Sequence, residues 1–413
     1  MNRGNKAKVF GIVLHAMTAV AISNGQHIGS ANNQSPNEPQ LRNRPVDTTD
    51  YGSVLLDVVA RSKSGDTIPD LKASDFVLRD NKKEVRETDF KLSATPSDAQ
   101  NGQIVFVLDA MNSSLAELGK SEDALEAFLA LHGSHLDRPA SILVVSDSEP
   151  RSASDLATGP ISNNTAMHQR QLFVHRIPAN LDGAVLAQSL KEYKTGLHRI
   201  LDAQGGTGQA ERVRLSLEAL SFIANAQTSI PGAKVVLWLG PGWPFLARSD
   251  AKSSEQLFDS VIYFSNMLRS ARMILYSIAP EGVTAKDNSA TTEGFLLNSR
   301  ASSIRANGHA PDVPIELSNT YYAEFLKGVK EAKQSNPNDL ALQVLAYQSG
   351  GLVLQDSNDI GAMIRRCAGD ATSLYTLSYV PAHGSGTDVY HELQISLKKS
   401  SQPLRTRTGL YAK

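Results

Sequence analysis

Cysteine is almost absent from this chain: Cys367 stands alone in 413 residues. No disulfide can form within it, so packing and hydrogen bonds must hold the fold. Cys367 shares helical spacing with Ile360, Met363 and Ile364, which marks it as a small apolar core residue. A nucleophile would need a neighbouring base, and none is identifiable. An excess of charge of one sign is also lacking, with 41 basic and 42 acidic residues and a net charge of -1. That balance gives no general drive toward nucleic acid or an anionic membrane. The basic residues Lys398, Lys399, Arg405 and Arg407 near the C-terminus read as a solvated edge strand whose charges deter strand addition.

The common catalytic signatures are missing too. Gly205-Gly206-Thr207-Gly208-Gln209 lacks the Gly-Lys-Ser/Thr ending of a phosphate-cradling loop. No G-x-G-x-x-G opens a helix after the first apolar run, and no G-x-S-x-G elbow occurs. His391-Glu392 lacks the second histidine of a zinc protease, and no Ser/His/Asp set can be assembled. His132-x-x-His135 with Asp137 lies near a predicted helix end, where imidazoles interact with the last carbonyls.

What is present begins with an export-like N-terminus. Arg3, Lys6 and Lys8 precede an apolar stretch from Val9 to Ile22, and Ala19-Val20-Ala21 offers a cleavage pattern. The stretch is about 14 residues, too short to span a bilayer comfortably. Residues 1–22 are therefore expected to be a signal peptide, or an uncleaved anchor as the one contact with a membrane. Residues 23–50 are rich in Asn, Gln, Pro and Ser and read as a flexible linker. Export without a disulfide predicts a secreted, periplasmic or cell-envelope protein of bacterial type.

Residues 51–95 look β-rich, with strand candidates at Val54–Ala60 and Phe76–Leu78, a turn at Asp80-Asn81-Lys82-Lys83, and Val85 to Phe90 pairing after it. The segment has too few apolar residues for a core of its own. Further on, Ile104–Leu108, Ile142–Val145, Val235–Leu239 and Met273–Ile278 are apolar without alternation, as suits strands buried on both faces of a parallel sheet. Helical spacing separates them. Leu125, Phe128 and Leu129 mark one helix, with Ser121 expected as its N-cap, yet Ser114-Leu115-Ala116-Glu117 has the spacing of a capping box. Val213, Leu217, Leu220 and Ala224 mark a second, and Leu257, Val261, Phe264 and Leu268 a third. Tyr322, Phe325 and Val329 repeat the spacing. A helix is expected from Asp339 to Gly350, a short strand at Leu352–Leu354, a helix at Asp359–Ala368, and strands at Leu374–Val380, Tyr390–Lys398 and Leu404–Tyr411. Residues 147–170 and 282–318 read as insertions. The predicted fold class is α/β: a doubly wound, mostly parallel sheet over 101–382, with a small accessory β-sandwich in which 51–95 packs with 388–413.

The order of several motifs resembles the von Willebrand factor A-type domain, more closely its acidobacterial-type related family of exported proteins. Leu71–Asp80 resembles that family's preceding β segment, and Leu108-Asp109-Ala110-Met111-Asn112-Ser113 its first-strand motif. Lys234–Pro244, in which Trp238 precedes a Gly-rich turn, resembles its fourth-strand motif. Ser349-Gly350-Gly351 and Leu374–Pro381 resemble its closing segments. The resemblance implies a metal-ion-dependent adhesion site of pattern Asp-x-Ser-x-Ser with a distant Thr and Asp. Asp109, Ser113 and Thr207 match, and would hold Mg²⁺ or another divalent cation weakly. Met111 replaces the first serine with a soft thioether, and Gly240 replaces the distant aspartate.

Two function classes follow. One is a non-enzymatic adhesion-type module with a degenerate metal site. It would contact a protein or extracellular ligand through a rim of Asp109, Asn112, Ser113, Thr207, Gly240, Gly242, Trp243 and Phe245, the last two as an aromatic pair either exposed or folded back onto the core. The other is a hydrolase or transferase with a dispersed site near Asp109 and Asp147.

Overall fold

The computed structural model describes residues 53–98, 102–131, 135–147, 172–197, 206–243, 254–280, 328–355, 357, 359–381 and 389–412, the side chains of 194–197 and 206–210 excepted. The expected signal peptide and linker, almost all of both insertions, and Phe245, Tyr322, Phe325 and His132 lie outside the described residues. Among the described residues no helix is long and apolar enough to cross a membrane.

The chain is α/β. A six-stranded sheet is built from β5 (Gln103–Asp109), β6 (Ala140–Ser146), β7 (Phe173–Asn180), β8 (Lys234–Leu239), β9 (Met273–Ile278) and β10 (Val353–Leu354). Its order is β10-β9-β8-β5-β6-β7. Every pairing is parallel except β6 with β7. Each of β6, β8 and β9 is buried along its whole length, which explains their unbroken apolar runs. The side chains divide between two cores. Val105, Val107, Val236 and Trp238 pack with α3 (Gly206–Thr228), α4 (Ser254–Ser270) and α5 (Leu342–Gln348). Phe106, Leu108, Val235 and Leu237 pack on the opposite face with α1 (Leu115–Leu131), α2 (Gly183–Leu197) and α6 (Ile360–Gly369).

Two four-stranded antiparallel sheets share a third core. One has the order β13-β1-β11-β4, from Leu404–Arg405, Val54–Ala60, Leu374–Tyr379 and Phe90–Ala94. The other has the order β14-β12-β2-β3, from Gly409–Ala412, Val389–Leu397, Phe76–Asp80 and Lys83–Glu84. Leu56, Val58, Phe76, Leu78, Tyr375, Leu377, Leu393 and Leu410 meet between them. The N-terminal strands thus complete their sheets with C-terminal ones, β1 beside β13 and β2 beside β12. The turn between β2 and β3 has positive φ at Asn81 and Lys82, as a two-residue hairpin with right-handed strand twist requires.

Several expectations are corrected. Leu374–Tyr379 does not belong with the parallel sheet: it lies antiparallel between β1 and β4. Its uniform burial imitates a parallel strand because it is covered on both faces. Val85 to Phe90 is not one strand; β3 is only Lys83–Glu84, and Phe90 starts a strand in the other sheet. Ser121 does not cap a helix. It is buried inside α1, which the Ser114–Glu117 capping box opens two turns earlier: Ser114 N–H donates to Glu117 Oε2 at 2.7 Å and Glu117 N–H to Ser114 Oγ at 3.2 Å. The expected helix from Asp339 is a 3-10 turn, Pro337–Leu340, followed by the short α5. Val329 is not helical. Strand β7 and helix α2 were not anticipated. Pro178 and the exposed His175 and Arg176 hide an edge strand, and suit one, since an edge needs no central ladder.

Candidate functional site

Asp109 ends β5, in the middle of the six-stranded sheet, at the C-terminal edge of its parallel strands. Parallel pairing sets Val107 opposite Trp238 of β8. Asp109, two residues on, projects from the same face as Val107. The Trp238 indole therefore reaches the carboxylate diagonally, and its Nε1–H donates to Asp109 Oδ2 at 2.8 Å. Three other donors converge. The backbone N–H groups of Met111 and Asn112 donate to Oδ1 at 3.2 and 2.9 Å. Asn112 Nδ2 bridges both oxygens at 3.1 and 2.9 Å.

Asp109 is 0% exposed. Burial pushes its carboxyl above the ordinary aspartate range, and the hydrogen bonds from Trp238, Asn112 and Met111 oppose that rise. A carboxylate offers about four lone-pair sites, and these four N–H groups fill them. A protonated carboxyl would find only donors around it, so the arrangement is built for the charged form.

That geometry tests the expected cation site. A divalent ion binds through oxygen lone pairs, and those of Asp109 face N–H groups instead. Among the buried side-chain oxygens of the loop, Asn112 Oδ1 and Ser113 Oγ have no hydrogen-bond partner among the described residues. Met111 is buried in the apolar core. Gly240 sits directly against the aspartate: a Cβ there would lie 2.7 Å from Asp109 Cβ and 3.4 Å from Ser113 Oγ. The residues present therefore do not fit Mg²⁺ or a similar ion. Among the described residues no three His, Cys, Asp or Glu side chains gather as a metal centre.

Thr207 lies in the first turn of α3, and its side chain is outside the described residues. The residue of α3 that meets the loop is Ser216, fully buried, whose Oγ accepts from Asn112 Nδ2 at 3.0 Å.

The expected rim is also corrected. Trp243 is 1% exposed and packs edge-to-face on Trp238, with ring centroids 5.3 Å apart, so it is core and not an exposed contact residue. Gly240 and Gly242 are buried. Gly242 has φ +93°, and a Cβ on it would strike the Gln343 amide of α5 at 2.1 Å, so only glycine lets the turn lie this close. What the edge does offer to solvent is the half-buried Asn112, Ser113, Ser114 and Pro241, with Leu115 51% exposed. Asp147 is half-buried at the end of the neighbouring strand. A dispersed active site using Asp109 would need that carboxylate accessible, and it is enclosed.

Arg405 and Arg407 overturn a further expectation. They are not a solvated edge, because β13 and β14 pack against the parallel-sheet layer. Arg405 Nη2 bonds Asp370 Oδ2, which also accepts from Tyr276 Oη at 2.7 Å, while Arg61 Nη1 donates to Asp370 Oδ1 at 3.2 Å. Arg407 is 7% exposed.

No protein-family model matches the chain, and no curated protein shows significant similarity to it.

Proposed function

We propose that this chain is a binding module on a von Willebrand factor A-type domain that contacts a protein ligand without a cation. Numbered by appearance, the strands of the large sheet run 3-2-1-4-5-6, the doubly wound order, and helices cover both faces. Asp109 stands where that order reverses, the place at which open α/β sheets bind ligands. The observation that carries the reading is the donor-saturated Asp109: a loop held from within needs no ion to hold its shape.

The contact surface is then the loop itself, Asn112 to Leu115, with Pro241 beside it. The capping box holds the start of α1 and the aspartate holds the preceding turn, so Leu115 is presented at little ordering cost. The basic and apolar N-terminus supports an exported location, secreted or in the cell envelope.

The test is capture of partners from envelope extracts on the immobilised protein, with EDTA or with Mg²⁺, using wild type and Leu115→Arg. The same proteins retained under both conditions, and lost in the variant at unchanged melting temperature, are expected. Capture that requires Mg²⁺, or that ignores Leu115→Arg, would refute it.

A further inference from the structure

We draw no further inference here: the strongest candidate, the exposed apolar patch of Leu131 at the end of α1 with Leu181 and Val185 about the start of α2, carries nothing, because nothing in the structure shows what covers it.

Discussion

Trp238→Phe isolates the bond on which the Asp109 loop depends. The substitution keeps an aromatic ring in the core and removes one N–H, the donor 2.8 Å from Asp109 Oδ2. Both residues are fully buried, so no water replaces the donor. A hydrogen bond to a charged group contributes about 1.5–3 kcal/mol. The smaller ring leaves a void beside Trp243 that adds a cost of roughly 1 kcal/mol. The two contributions separate by pH. Burial already raises the carboxyl of Asp109 above its unfolded value, so wild-type stability falls as pH rises through the window between the two. Losing a donor raises the folded value further and extends that window upward. The stability gap between variant and wild type should therefore be widest at pH above both folded values. It should narrow as pH drops, first through the variant's folded value and then through that of wild type, leaving only the void. Urea unfolding followed by far-ultraviolet circular dichroism, across the whole pH range in which the protein stays folded, measures it. A gap constant across that range would refute a charge-stabilising role for the indole.

Other variants probe the neighbouring elements. Gly240→Asp, which restores the acid expected of an adhesion-type site, should lower stability by about 2 kcal/mol and confer no Mg²⁺ binding, because its Cβ meets Asp109 at 2.7 Å. A Mg²⁺-dependent rise in melting temperature would contradict this. Burial, aided by Arg272, lowers Lys234 to about 8 from 10.5. The unfolded chain thus holds more protons between those values, so stability should rise with pH across about 8 to 10.5, by about 3 kcal/mol in total. Lys234→Met should flatten that slope in urea unfolding, and an unchanged slope would sink the assignment. Asp370→Ala removes the acceptor shared by Arg61, Tyr276 and Arg405 and should cost about 3 kcal/mol, measured by chemical unfolding. A cost below 1 kcal/mol would mean the cluster does not tie the layers together.

Much of this was legible in the residues themselves, and the failures have physical causes. The runs at Ile104–Leu108, Ile142–Val145, Val235–Leu239 and Met273–Ile278 carry no alternation because helices cover both faces of the sheet, so pattern and burial agree. Leu374–Tyr379 has the same uniform pattern for another reason, burial at the junction of layers, and composition cannot separate the two cases. The capping box at Ser114 was visible, but Leu115 and Ala116 are exposed, so the apolar spacing begins later and drew the helix start to Ser121. At the site, Asp109 and Gly240 stood out in the sequence and do meet. Trp238 did not stand out as a partner, being 129 residues away in the chain. A signal existed: a tryptophan inside a fully buried strand must find an acceptor for its N–H, and an adjacent strand ending in aspartate supplies one. Ser216 gave no such signal, being one small polar residue in a long helix.

Calorimetric titration of the chain with Mg²⁺, Mn²⁺ and Ca²⁺, beside Asp109→Ala, bears most directly on whether this aspartate anchors a loop or holds an ion. Flat isotherms for both proteins are expected, since four N–H groups occupy the carboxylate. A saturable heat in wild type that vanishes in Asp109→Ala would contradict the account.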